Sequence, residues 1–190
     1  MLEKEGIKMA KISDYNVGYV VRDQFEGVTR ELLREYAKTS GDTNPIHTRD
    51  AIAERAGLKG VIAHGLFSTG LITKLFEDHL EHGKSGKLIE VNIEMRGMVR
   101  CGDLIITEAT INKIEGKRVF FDVEQRTITS VDIKDINGNL VEQFEAGERG
   151  YISEKDIERG LVKTKEVPEG ILTYRERIAT PGTAIIELFE

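Results

Sequence analysis

The sequence predicts an α+β domain in which an antiparallel sheet is wrapped around one long helix. Apolar residues recur at the three- and four-residue spacings of a helix from Leu66 to about His82. After about residue 90 the period changes, and apolar residues alternate with polar ones, as in strands. Because the helices come early and the strands follow in a run, the order is typical of an α+β fold.

Each element has a local signal. Thr29 suits the cap of a helix that runs to about Lys38, and Gly41 suits its end. In the long helix, Gly70 weakens helix formation, which predicts that something packs closely against the backbone there. Turn residues fit Glu115–Lys117 and Asn137–Asn139. The remaining predictions are a strand at Val17–Asp23, an irregular loop at Asp42–His47, a helix at Arg49–Ala56 and strands around Val91–Met95, Ile105–Ile111, Val119–Val123 and Leu140–Ala146.

The pattern weakens after Tyr151, where Pro168, Gly170, Pro181 and Gly182 separate short segments. We therefore expect two parts: a domain over residues 1–152 and a C-terminal extension over residues 153–190 of unknown role. Apolar residues in the extension suggest that it packs on a partner subunit.

Composition excludes several classes of function. The 190 residues include 33 acidic and 27 basic residues, for a net charge of −6, with no dense basic block. This charge disfavours nucleic acid as a partner. The single cysteine, Cys101, excludes an internal disulfide framework, and we expect an inert thiol. The longest apolar-rich window, Gly60–Phe76, is interrupted by polar residues, so we expect no membrane span, no exported leader and a cytoplasmic location.

Two polar clusters stand out as places for chemistry. In the first, Asp42 and His47 lie five residues apart on one bent loop, which would let both hold a water and exchange its protons. Asp42 has an alternative as an ordinary turn residue that caps a backbone donor. The second cluster, Gly60–Gly65, ends where the long helix begins. Free amides at such a start can bind a carbonyl oxygen as negative charge develops on it.

Together these clusters resemble a known family. From Tyr36 to Ala53, the residues Gly41-Asp42, Asn44-Pro45 and His47 resemble the signature of the MaoC-like dehydratases and R-specific enoyl-CoA hydratases, which have the hot-dog fold. His64-Gly65 before a long helix resembles the second landmark of that family. Arg96–Asp103 resembles a third, although Met98 and Cys101 stand where the family usually has prolines. The resemblance covers about residues 17–151.

The resemblance implies a reaction and a set of site residues. The reaction is the reversible hydration of a trans-2-enoyl-CoA to an R-3-hydroxyacyl-CoA, with Asp42 and His47 as catalytic groups and the Gly65 amide binding the thioester oxygen. It implies no metal and no other cofactor, an acyl-CoA thioester as the ligand and a homodimer or larger homo-oligomer. The substrate-binding candidates are Ser40, Asn44, His64, Thr73, Arg96 and Arg100.

Several alternatives remain open. A thioesterase of the same fold would use water to attack the thioester carbonyl, and a non-catalytic subunit would only bind the acyl-CoA or an acyl-carrier protein. Arg96 and Arg100 suit phosphate groups, but solvated strand charge is an equal alternative. His79 and His82 lie three residues apart near a helix end, where a dipole role is favoured over metal binding.

Overall fold

A computed structural model describes residues 11–189, and it confirms the α+β class. No helix in this part of the chain is long and apolar enough to cross a membrane. The helices are α1 (Arg30–Ser40), α2 (Asp50–Arg55), α3 (Gly65–His79), α4 (Glu145–Glu148) and α5 (Glu154–Glu158). The strands are β1 (Val20–Phe25), β2 (Gly86–Ile93), β3 (Leu104–Glu115), β4 (Arg118–Lys134), β5 (Leu140–Gln143), β6 (Val162–Val167) and β7 (Gly170–Leu188).

All seven strands belong to one sheet, and every pairing is antiparallel. The main order is β1-β3-β4-β7-β2, while β5 pairs with β4 and β6 pairs with β7. The predicted turn at Glu115–Lys117 joins β3 to β4, and the turn at Asn137–Asn139 precedes β5.

The long helix α3 forms the centre of the core, as predicted. Its residues Ile72 and Phe76 are fully buried and pack with the inner face of the sheet. Phe76 meets Phe121 of β4 edge to face, with ring centroids 5.1 Å apart, which is a favourable aromatic geometry. The sheet therefore holds α3 through apolar burial, the main driving force for folding.

Helix α1 ends in a way that directs the chain into the first polar cluster. The Thr29 hydroxyl accepts a hydrogen bond from the Leu32 amide at 3.1 Å, as expected for an N-cap. At the other end Gly41 has φ of 77°, a left-handed conformation that favours glycine. The Gly41 N–H still donates to Ala37 O, and the chain then leaves the helix at Asp42.

The structure corrects the predicted boundary at residue 152. Strand β7 lies between β4 and β2, so the segment predicted as an extension supplies a central strand of the sheet. Pro181 and Gly182 do not break it. The Pro181 carbonyl accepts the Glu94 amide, and a Cβ on Gly182 would lie only 2.8 Å from the Ile93 Cα. Glycine here permits the close approach of β2 rather than ending a strand.

The prediction for Gly70 is wrong. Among residues 11–189, no heavy atom would lie within 4 Å of a Cβ built at this position, so nothing in the described part of the chain packs against the α3 backbone there. Glycine at an exposed helix position carries a cost in conformational entropy that this contact-free surface does not offset.

Candidate active site

Two loops meet at the N-terminal end of α3. The first follows α1 and carries Asp42 and then His47, which lies at the end of a short 3-10 turn, Pro45–His47. The Asn44 side chain caps that turn by accepting the Ile46 amide at 3.2 Å. The second loop precedes α3 and ends at His64. The backbones also touch directly, since the Ile62 amide donates to the Ile46 carbonyl at 3.4 Å.

The two histidines fasten these loops to each other. His47 Nδ1 lies 2.8 Å from the Ile62 carbonyl oxygen, and His64 Nε2 lies 3.0 Å from the Asp42 carbonyl oxygen. A carbonyl oxygen only accepts, so each of these ring nitrogens carries a proton. In the neutral rings, His47 Nε2 and His64 Nδ1 therefore remain as acceptors. The rings are stacked, with centroids 3.9 Å apart.

Asp42 has the turn role that the sequence offered, and its carboxylate also lies beside both histidine rings. Its Oδ1 accepts the Asn44 amide at 3.2 Å, as in an ordinary Asx turn. Its amide contacts the Ser40 hydroxyl, which also donates to the Tyr36 carbonyl at 2.7 Å. A carboxylate oxygen of Asp42 and a ring nitrogen of each histidine nevertheless lie within 4.8 Å of one another. The turn thus orients a carboxylate that is itself exposed and faces the two rings.

The surroundings of His64 favour its neutral form. Burial lowers the pKa of His64, and the nearby His47 ring lowers it further, while the hydrogen bond to the Asp42 carbonyl opposes both effects. Its ring also packs against Tyr36, with centroids 4.9 Å apart. His64 Nδ1 is buried and has no hydrogen-bond partner among residues 11–189. An acceptor left in this state suits a ligand or water in the site.

Gly65 is the first residue of α3, and the preceding His64 makes no side-chain cap bond. The amides of the first helical turn have no partner within a helix, so the Gly65 N–H is suited to an anionic oxygen. The Met95 side chain, which is exposed, lies so close to Gly65 that a Cβ there would come within 2.9 Å of Met95 Cε. Glycine therefore gives room to the Met95 side chain at the start of α3.

Asp42, His47 and His64 also form a set that a divalent metal would accept. Two imidazoles and one carboxylate are common ligands of first-row metals, and their ligand atoms are close enough to share an ion. A ring nitrogen that donates to a backbone carbonyl cannot also bind a metal, so only the other nitrogen of each ring would be available for this. The sequence prediction of a site without metal stays a prediction.

The structure does not gather all of the candidate residues at this site. Thr73 lies eight residues along α3 from Gly65, about 12 Å away at 1.5 Å per residue, and its hydroxyl donates to Gly70 O. Arg96 is exposed and pairs with Glu94 at 2.7 Å, so it has the surface position expected of either of its alternatives. Ser40 and Asn44 belong to the site, but as groups that shape the Asp42 turn.

Arg100 is neither a solvated charge nor exposed to a ligand, which corrects both alternatives for it. It is 5% exposed, donates to the Leu58 carbonyl at 2.6 Å and lies 4.3 Å from the Tyr151 ring centroid. Burial lowers the pKa of its guanidinium. Arg100 thus supports the loop that leads to His64. Its neighbour Cys101 is buried, which raises the pKa of the thiol to about 11 and fits the predicted inert role.

Asp50 is a supporting residue that the sequence analysis missed. Its Oδ1 accepts the Val61 amide at 3.0 Å, which ties α2 to the second loop. Arg30 donates to Asp50 at 2.7 Å and also pairs with Glu145 of α4. These ion pairs lower the pKa of both carboxyl groups. The partners of Asp50 are Val61, Arg30 and Arg149, which lie 11, 20 and 99 residues away in the sequence, so no local spacing signals the cluster.

The fold and the site together define a class of protein. A single antiparallel sheet wraps a long helix, and an aspartate and two histidines meet at the N-terminal end of that helix, where backbone amides are free. This is a hot-dog-type domain with a candidate acid–base site.

Comparison with known proteins gives the family. The chain belongs to the MaoC-like domain family, whose model matches residues 18–133. It is 31% identical over 100 residues to the 3-hydroxybutyryl-CoA dehydratase of Methylorubrum extorquens, a match that covers 48% of this chain and 63% of that protein. It is 28% identical over 85 residues to the (R)-specific enoyl-CoA hydratase of Rhodospirillum rubrum, covering 45% and 58%.

Solved structures show the same fold. The (R)-hydratase from A. caviae involved in PHA biosynthesis superimposes with a TM-score of 0.57 over 92% of this chain and 97% of its own, at 17% identity. The hot-dog fold predicted from the resemblance is thereby confirmed. The curated relatives are matched over less than two thirds of their own length.

Proposed function

We propose that the protein adds water reversibly to the double bond of a trans-2-enoyl-CoA, giving an R-3-hydroxyacyl-CoA. The observation that carries this proposal is the meeting of Asp42, His47 and His64 beside the first amide of α3. Such a site offers proton acceptors and donors together with a place for a thioester oxygen, which are the groups that hydration needs.

In the proposed reaction, Asp42 and His47 hold one water molecule against the substrate. The water oxygen bonds to C3 while one group accepts a proton from the water. The other group, in its protonated form, delivers a proton to C2, and the proton taken from the water restores that form after each turnover. His47 suits this exchange because its Nδ1–H is fixed on the Ile62 carbonyl, which leaves Nε2 as the reacting atom. The Gly65 N–H would stabilise the negative charge that develops on the thioester oxygen. The reverse sequence of steps dehydrates the hydroxyacyl thioester.

His64 would act as a positioning residue and as a binding surface. Its bond to the Asp42 carbonyl fixes the loop that carries the catalytic carboxylate. Because the pKa of His64 is lowered, the ring stays neutral near pH 7 and keeps Nδ1 free to accept a hydrogen bond from the water or substrate.

The family supports this proposal more than it supports the alternatives. The family model covers residues 18–133, which contain both loops. Relatives of this chain are named as a 3-hydroxybutyryl-CoA dehydratase and an (R)-specific enoyl-CoA hydratase. A thioesterase remains the main enzymatic alternative, because the same groups would activate a water toward the thioester carbonyl. We also propose a homodimer or larger homo-oligomer, since the edge strands β1 and β2 leave open edges that a partner would cover. We propose a cytoplasmic location.

The test uses the purified full chain with crotonyl-CoA. Loss of the conjugated enoyl-thioester absorbance is followed while free thiol is assayed, in the wild type and in the Asp42→Asn, His47→Ala and His82→Gln variants. His82 is an exposed histidine and serves as the control. We expect absorbance loss without thiol release, a decrease of at least 100-fold in Asp42→Asn and His47→Ala, and an unchanged rate in His82→Gln.

Each other result has a definite meaning. Release of free thiol at the rate of substrate loss would identify a thioesterase. Binding of crotonyl-CoA without turnover, in a folded protein, would favour the non-catalytic subunit. Equal rates in the wild type and in both site variants would remove Asp42 and His47 from the mechanism.

A further inference from the structure

A cationic cleft lies between α1 and the loop that carries Asp42 and His47. Its volume is about 440 Å³, which is within the range of roughly 300–1,000 Å³ found for small-molecule sites. One wall is the C-terminal half of α1, and the other is the catalytic loop with the start of α2. The lining residues are Arg34, Ala37, Lys38, Thr43, Pro45, Thr48 and Arg49.

The cleft is lined by basic side chains, although the chain as a whole is acidic. Arg34, Lys38 and Arg49 all line it and are all exposed, whereas no acidic residue lines it. Within residues 11–189, none of these three side chains forms an ion pair or hydrogen bond. The protein as a whole has an acidic excess of six charges. Three neighbouring cations that remain unpaired in such a chain form a local site for an anion.

The arrangement of donors suits phosphate. Arg34 and Lys38 are four residues apart on α1 and therefore project from one helix face. Arg49, Thr43 and Thr48 line the same cleft, and the two threonines have hydroxyl groups that can donate hydrogen bonds. Guanidinium groups bind phosphate oxygens with two parallel hydrogen bonds, and an ammonium group adds a point charge.

The cleft is next to the reacting groups and separate from them. Thr43 and Pro45 line it, and both lie between Asp42 and His47 in the sequence. Neither Asp42 nor His47 lines the cleft, so the two sites share one loop but no side chain. A thioester substrate carries its phosphates at the end of a flexible pantetheine arm, and this arm would fold over the loop to place them in the cleft.

We propose that this cleft binds the phosphate groups of the thioester's carrier, with Arg34, Lys38 and Arg49 as the charged contacts. The proposal rests on the proposed function for its substrate. The shared chemistry is a phosphate ester, which is supplied either by the 3′-phospho-ADP end of coenzyme A or by the phosphate of a phosphopantetheine arm.

The first test measures binding without turnover. Isothermal titration calorimetry with 3′,5′-ADP compares the wild type, the double variant Arg34→Gln/Arg49→Gln and the control Arg55→Gln. Arg55 is exposed on α2 and bonds to Ala51 O of its own helix, outside the cleft. We expect at least a tenfold weaker Kd in the double variant, no change in the control, and weaker wild-type binding at higher salt.

The second test separates the sources of the phosphate by kinetics. Crotonyl-CoA, crotonyl-4′-phosphopantetheine and crotonyl-pantetheine are compared in the same proteins. We expect the double variant to raise KM for crotonyl-CoA at least tenfold, with kcat within twofold, and to leave KM for crotonyl-pantetheine unchanged. A rise for crotonyl-4′-phosphopantetheine as well would assign the cleft to the phosphate of the arm, and a rise for crotonyl-CoA alone would assign it to the nucleotide end.

Failure of the cleft proposal and failure of the proposed function would give different experimental results. Turnover of crotonyl-CoA with equal KM in the wild type and the double variant would overturn the cleft proposal and leave the hydratase intact. If no crotonyl thioester is turned over, the proposed function fails, and the calorimetry alone decides: unchanged 3′,5′-ADP affinity in the double variant, or no binding to the wild type, overturns the cleft.

Discussion

His47 and His64 are linked reciprocally: each ring donates to a backbone carbonyl in the other's loop, and the two rings stack 3.9 Å apart. The bonds reach Ile62 O from His47 and Asp42 O from His64. This pairing fixes two loops that are otherwise irregular, and it determines the tautomer of both rings. A catalytic geometry on loops needs such support, because loops are more mobile than the elements they connect.

The lowered pKa of His64 predicts a pH dependence of stability. A group whose pKa is lower in the folded state than in the unfolded state binds fewer protons when folded, so acid favours unfolding. The contribution is complete above the unfolded pKa of about 6.5 and is lost as the pH falls toward the folded value. We expect the free energy of unfolding to fall between pH 7.5 and pH 5.5, as measured by urea denaturation at each pH.

The His64→Phe variant isolates this contribution, since phenylalanine keeps an aromatic ring beside His47 and Tyr36 but does not titrate. We expect a smaller decrease between the two pH values than in the wild type. His82→Gln should keep the full decrease, because the His82 ring is exposed. An equal pH dependence in the wild type and His64→Phe would contradict the assignment. His79 is partly buried, and burial lowers its pKa too, so part of the decrease should remain.

Substitution of Arg100 should reduce the stability of the protein much more than substitution of Arg96. In Arg100→Gln the bond to Leu58 O and the contact with the Tyr151 ring are lost, so we expect about 2–4 kcal/mol less stability. Arg96→Gln loses only an exposed pair with Glu94, and we expect a change below about 0.5 kcal/mol. Chemical denaturation measures both. Unchanged stability of Arg100→Gln with a raised KM for crotonyl-CoA would instead restore it as a ligand contact.

Two glycines should respond in opposite directions to alanine. Gly70→Ala adds a methyl group inside helix α3, where no atom of residues 11–189 lies within 4 Å, so we expect a gain of about 0.5–1 kcal/mol. Gly182→Ala places a Cβ 2.8 Å from the Ile93 Cα, where backbone would have to move, so we expect a loss of about 1–3 kcal/mol. Thermal or urea denaturation gives both values. A stabilised Gly182→Ala variant would show that β2 and β7 are not packed as described.

A chain that ends after residue 152 should not fold. It would lack β7, which lies between β4 and β2 and buries Ala184 and Ile186 in the main core. We expect the truncated chain to lack a cooperative unfolding transition by circular dichroism. A folded truncated chain that still turns over crotonyl-CoA would show that the domain ends where the sequence analysis predicted.

Single substitutions in β7 give a milder version of this test. Ile186 is fully buried, whereas Ile171 is 43% exposed. We expect Ile186→Ala to lose about 2–5 kcal/mol and Ile171→Ala to lose less than about 1 kcal/mol. Equal effects of the two substitutions would indicate that β7 contributes no core.

The sequence by itself determined the elements whose signals are local. Helix α1 and its caps, the long helix α3, the turn between β3 and β4 and the loop with Asp42 and His47 all depend on residues that are neighbours in the chain. Periodicity and capping residues report such short-range geometry directly. The motif within Tyr36–Ala53 was also sufficient to indicate the family, because its residues lie on one continuous stretch.

The tertiary structure decided what depends on residues that are distant in the chain. Pro181 and Gly182 resemble strand breakers until β2 is placed beside them, and Gly70 resembles a packing site until its surroundings prove open. The burial of Arg100 requires Leu58 and Tyr151, and the link between His47 and His64 requires two loops to meet. Burial and hydrogen bonding are properties of the folded neighbourhood, so the local pattern at each residue does not contain them.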